Sequence, residues 1–280
     1  MLVYTLGIIL VGVTEMFSEK PIRKKKISYM EYFTSENSVV RKIWGSPDSV
    51  LFVFAGSAAE FALNKAVDWL YFTGRLPADP LGRLFSTVTY ARKIIFSPLD
   101  KANHYIDQIT AIHQSVEQNR GAQIPDWAYR DVLFMLIWYS IHAYEVLYRQ
   151  LTIEEKEEVF DVFYRVGIRM HLKDLPQTYQ QWHHAHQQHL ENDTVCSQFT
   201  TDLYRQYRKH LGPIRFFLLK RVQSLLSPAR IKQMLKLEGP GVVRPLLTVY
   251  KASRRLGIGN LLIESLLPLK YIAQVRQIRI

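Results

Sequence analysis

The chain is 280 residues long, 48% hydrophobic and 12% aromatic, enough to bury one large core, which excludes a disordered protein. With 36 Lys and Arg against 25 Asp and Glu the formal charge is +11, which suits an anionic membrane surface or nucleic acid and disfavours a basic partner. A single cysteine, Cys196, excludes an internal disulfide and a thiolate zinc site.

The N-terminus reads "MLVYTLGIILVGVT", free of charge, followed by the basic "EKPIRKKK". That run is shorter than the roughly 20 residues a membrane-spanning helix needs. Its charge also follows the apolar stretch, the reverse of a secretory signal. Two readings of residues 1–26 remain: a helix in the membrane interface with Lys24 to Lys26 on lipid headgroups, or a first helix packed on the core.

From there on, helix starts are legible. Ser46-Pro47, Asp79-Pro80, Ser97-Pro98 and Ser227-Pro228 each place a capping side chain before a proline suited to the first helical position. Thr152 with Glu155 spells a capping box. Apolar residues then recur at helical spacing over 47–73, 80–96, 98–118, 125–150, 153–171, 176–192, 195–210 and 213–226. The segments 50–65 and 132–149 are apolar enough to be central helices. There is no hairpin dipeptide between alternating runs, no heptad seam and no internal repeat, so the prediction is all-α. Residues 27–236 read as one large helical domain. From Leu237 to residue 280, Gly239, Pro240, Gly241, Pro245 and Pro268 break the chain into short amphipathic helices with basic faces, a helical C-terminal extension that covers the core or touches a membrane.

Three constellations could carry chemistry. In "TAIHQSVEQ", His113 takes a place in line with Ile106, Ile109 and Val116, an ionisable ring on a branched apolar face. In "DPLGRLFSTVTYARK", Arg83 and Thr87 are four apart and project side by side. A permanent cation, a hydroxyl and an imidazole around one buried space would serve a haem, and a hydrogen-bonded core histidine beside a surface arginine would leave the same pattern. In "WHHAHQQH", His183, His186 and His189 are spaced for a metal, but no carboxylate lies within the run and its Gln-rich neighbours predict a solvated face. GxGxxG, GxxxxGK[ST] and GxSxG are all absent, which argues against nucleotide binding and a serine hydrolase. The basic residues lack interleaved aromatic platforms, so no nucleic-acid partner is expected.

The blocks "DPLGRLFSTVTYARKIIFS", "ITAIHQSV", "IHAYEVLYRQLTIEEKEEVFDVF" and "DLPQTYQQWHHAHQQHL" resemble, in order and spacing, the oxygenase family of MpaB and latex-clearing protein (rubber oxygenase), over about residues 45–215. The resemblance implies a helix arrangement related to the globins and a buried haem b that, with dioxygen, cleaves carbon–carbon double bonds of isoprenoid chains. It puts the proximal iron ligand at His113 and the family's haem-side arginine and threonine at Arg83 and Thr87. The family's acidic residue upstream, a suggested base, matches Asp68 across a few extra residues. Two positions depart from the family: Ser86 stands where relatives often carry Lys or Arg, and Leu133 where many carry a histidine. An apolar helix face disfavours a charged imidazole, which suits iron ligation, since the neutral ring coordinates. The resulting expectation is a haem b-dependent oxygenase taking an apolar, isoprenoid- or lipid-like substrate and dioxygen, cytoplasmic or on the cytoplasmic face of a membrane. The alternative is a haem-free helical protein that binds lipid or a partner at membranes.

Overall fold

The computed structural model describes residues 31–72, 74 and 79–255, so the expected N-terminal segment 1–26 and the end of the C-terminal extension lie outside the described residues. The described chain is all-α, as predicted. Its helices are α1 (Val39–Trp44), α2 (Pro47–Phe61), α3 (Val67–Phe72), α4 (Pro80–Phe96), α5 (Leu99–Arg120), α6 (Asp126–Leu147), α7 (Ile153–Arg169), α8 (Tyr179–Asn192), α9 (Gln198–Leu226), α10 (Ala229–Met234) and α11 (Val243–Arg255). No helix among the described residues is long and apolar enough to cross a membrane.

Local chemistry accounts for most helix ends. The Asp79 carboxylate accepts from the Gly82 amide at 3.1 Å and opens α4. Thr152 and Glu155 form the reciprocal capping box of α7, and Ser197 and Thr200 do the same for α9. Not every Ser-Pro pair works as expected. Pro98 and Pro228 are themselves the N-caps of α5 and α10. The Ser46 hydroxyl turns to the Asp48 carboxylate and the Tyr148 hydroxyl instead of the helix amides. At Gly212 the backbone turns left-handed (φ 74°) before Pro213, so α9 is two helices joined at a kink, as the separate segments 195–210 and 213–226 predict.

The expected helix 47–73 is interrupted at residues 62–66. There Asn64 folds back, its side-chain oxygen accepting from the Ala66 amide at 2.8 Å, an Asx turn that competes with the helix. Its amide nitrogen meanwhile reaches Asp131 on α6 at 3.1 Å.

α2 and α6 form the centre and pack along most of their length. Gly56 allows this: a Cβ there would overlap the ring of Tyr139. Around the pair, α1, α7 and α8 complete a core in which Trp44 and Trp182 are fully buried. Trp44 donates to the Ser140 hydroxyl at 3.2 Å and meets Phe54 edge-on. The first part of the C-terminal extension, α11, is tied to the start of α2. Tyr250 donates to Asp48 at 3.0 Å and Arg254 pairs with the same carboxylate at 3.1 Å.

Candidate functional site

α5 carries His113 on the face predicted from spacing, with Ile106 fully buried and Ile109 against the core. The ring is half-buried and lies 5.1 Å from the Tyr129 ring of α6. Its Nδ1 is enclosed and has no hydrogen-bond partner. Burial, with the Arg83 cation adding to it and Glu117 opposing, pushes the imidazole down to about 4, so it is neutral at physiological pH. Glu117, one turn further along α5, accepts from the Tyr129 hydroxyl at 3.0 Å and from the Ile124 amide at 2.9 Å. It thereby fixes the loop that returns the chain to α6. Neither Glu117 nor Tyr129 stands out in the sequence, because their pairing spans the α5–α6 turn.

The structure brings Arg83 of α4 into electrostatic range of His113. The Thr87 hydroxyl donates to the Arg83 carbonyl of its own helix at a long 3.4 Å. Ser86 does the same at 2.6 Å from an exposed position. Asp68 on α3 pairs with Arg120 at 2.7 Å, and that guanidinium lies 4.0 Å over the Trp69 ring. Arg120 ends α5, two turns beyond His113, so Asp68 reaches the histidine helix without meeting the histidine.

A second set of ionisable groups lies in the core, and here the expected solvated face of α8 is only half right. His184 is exposed, but His186 and His189 are buried. The carboxylates absent from their own run come from α2 and α6. His186 Nε2 is 2.9 Å from Glu60, which is 0% exposed, and Tyr139 donates to the other Glu60 oxygen at 3.0 Å. One turn along α8, His189 Nδ1 lies 2.7 Å from Asp131 and 3.4 Å from Asp193. Burial pushes the Asp131 carboxyl up, against His189 and Asn64. Burial opposes charge on His189 too, but Asp131, Glu60 and Asp193 together hold that imidazole above its ordinary value, and a proton lies in its 2.7 Å contact with Asp131. His186 Nδ1 and His189 Nε2 are buried without partners.

Two of the cavities formed by described residues lie elsewhere, with none of Arg83, Thr87 or His113 in their lining. An open one of about 470 Å³ lies between α3 and the start of α9, lined by Tyr71, Phe199, Asp202 and Arg205. The other, about 10 Å³, is an apolar crevice where Leu133, at the family's histidine position, meets Phe134, Phe160 and Leu175.

For a haem, the donor set at α4 and α5 is chemically suitable. A buried nitrogen without a partner, kept neutral, lies within electrostatic range of a permanent cation of the kind that pairs with propionates.

No curated protein and no solved structure matches the chain. The family model described as "ER-bound oxygenase mpaB/B'/Rubber oxygenase, catalytic domain" matches residues 43–256, from the end of α1 through α11, and takes in Asp68, Arg83, Thr87 and His113. With the greater part of its length matched, the chain belongs to the MpaB and rubber oxygenase family and carries that family's catalytic domain.

Proposed function

We propose that this oxygenase-family protein is haem b-dependent, with His113 as the iron ligand, and that it oxidises an apolar, isoprenoid- or lipid-like substrate with dioxygen. The observation that carries this reading is the His113 Nδ1 atom: enclosed, unpartnered and on a ring that stays neutral down to about pH 4. The haem, when bound, supplies the iron redox chemistry by which dioxygen cleaves a carbon–carbon double bond.

The residues of this chain have narrower tasks. His113 offers a neutral nitrogen. Burial keeps that nitrogen unprotonated, and the Arg83 cation adds to this and brings a guanidinium near the same place. The Thr87 hydroxyl, held only by a 3.4 Å bond to its own helix, is free to turn to a ligand. Glu117 and Tyr129 brace the end of α5 and thus the direction of the imidazole. Asp68 acts as a base only on release from Arg120, so in the state described it positions the α5 terminus.

The same reading puts the protein at the cytoplasmic face of a membrane. Its support is the start of α11, where Leu246 and Val249, with Val242 just before the helix, are exposed on one side and Arg244 is exposed on the opposite side. Sedimentation with anionic vesicles, weakened by Leu246→Asp with Val249→Asp, tests this placement; undiminished sedimentation of that variant rejects it.

The rival reading, a haem-free lipid- or partner-binding protein, draws on the two cavities, which lie away from His113. One experiment separates the two. Purified protein mixed with haemin shows a Soret band that His113→Ala reduces or abolishes if haem is the cofactor. A wild-type protein that stays colourless with excess haemin refutes the haem reading.

A further inference from the structure

The His186 and His189 cluster has no task in the proposed oxygenase site, and its charges are unusual for a core. Glu60 and Asp131 are buried, and Asp193 is partly so. Among the described residues none of the three pairs with a lysine or arginine. Their partners are His186, His189, Tyr139 and Asn64. Three acidic side chains thus face two weakly basic rings, and buried carboxylates need a counter-charge. Lys65, in the turn after α2, gives its ammonium to the Asn192 carbonyl at the end of α8.

The donors nearest one another are His189 Nδ1, Asp131 Oδ1 and Asp193 Oδ2, all within 4.8 Å. The frame around them is fixed on each side. Asn64 binds the far oxygen of Asp131 and so aims the near one at His189. The Lys65 amide donates to the Asp193 carbonyl at 3.0 Å, and the Val195 amide to the Leu63 carbonyl at 2.7 Å, which stitches the end of α8 to the turn after α2. Both helices end here, and helix C-termini favour a cation. Asp193, with 28% of its side chain exposed, leaves one side open to water and to an entering ion.

We propose that Asp131, His189 and Asp193 form a binding site for a divalent transition-metal ion of the zinc class, separate from the His113 site. One imidazole and two carboxylates are a mixed nitrogen and oxygen donor set that suits such an ion, with water completing the coordination. The ion takes the place of the proton shared by His189 and Asp131. Bonds of 2.0–2.2 Å to each donor open their separation from 2.7 Å to about 3.4 Å. Bound there, it clamps α6, α8 and the 62–66 turn together. The site shares no residue with the haem reading and stands if that reading fails.

The test uses the untagged full chain, stripped with chelator and desalted. Zn²⁺ titration followed by calorimetry is expected to give a single saturating equivalent and a raised Tm, and Co²⁺ should give visible ligand-field absorption. Asp193→Asn, partly exposed and safe for folding, should weaken Zn²⁺ by about tenfold or more. His189→Gln should abolish the site if the variant folds. His113→Ala and His184→Gln should keep it, the latter excluding a surface histidine. No saturable Zn²⁺ binding, binding undiminished in Asp193→Asn, or binding lost in His184→Gln would each overturn the proposal.

Discussion

His113 on α5 is pushed down to about 4 by burial and by the Arg83 cation, whereas His189 on α8 meets Asp131 at 2.7 Å and is held above the ordinary imidazole value. Both rings lie on amphipathic helices and are removed from bulk water to a large degree. What differs is the sign of the charge delivered by a neighbouring helix. A cation next to a buried ring leaves it a neutral ligand; a carboxylate makes it a proton holder or, with a metal ion, an oriented donor. The same α8 face shows how strongly such pairs specify a core, since His186, Glu60 and Tyr139 lock α2, α6 and α8 through two hydrogen bonds.

The sharpest way to break this comparison is to remove an acid from the core. Glu60→Ala strands His186 and Tyr139 without a partner, and we expect a loss of about 3–5 kcal/mol in urea unfolding. A variant as stable as the wild type would mean that the cluster does not hold the helices. A pH series sharpens the other side. Because the folded imidazole of His113 titrates at about 4 and the unfolded one at about 6.5, the unfolded chain takes up the proton first as pH falls. The haem-free protein should therefore lose stability between pH 6.5 and 4, by up to roughly 3 kcal/mol from this residue, and be unaffected by it above that window. His113→Gln should flatten that part of the profile; an unchanged profile would show that the ring is not desolvated.

Smaller effects probe the frame. Gly56→Ala must displace the Tyr139 ring, an overpacking cost of about 1–3 kcal/mol offset in part by the roughly 1 kcal/mol helix preference of alanine. A stabilised variant would show that α2 and α6 can move apart freely. Smallest is Asp68→Asn: the ion pair with Arg120 is partly exposed, so the expected change is under about 1 kcal/mol. A much larger loss would make Asp68 a structural residue and weaken its candidacy as a base.

What could be read from the sequence follows the range of the forces involved. α4, α7 and the two halves of α9 were legible because Asp79, Thr152 and Gly212-Pro213 act within a few residues of the helix ends they set. The break at 62–66 was not, since Asn64 serves both a local turn and Asp131 on another helix. Spacing singled out His113 and Arg83, and the family resemblance gave them the roles proposed for them. Spacing missed the acids that α2 and α6 bring to the α8 cluster, because Glu60 lies 126 residues from His186 and no helical period along α8 records it. Glu117 escaped notice for the same reason, its partner Tyr129 belonging to the next helix.

Cavity rescue probes the His113 site most directly. His113→Gly should lose the haem Soret band, and free imidazole added to that variant with haemin should restore it, because the deleted side chain leaves its own space beside Arg83. A His113→Gly protein that keeps the wild-type band without imidazole would contradict ligation by this residue.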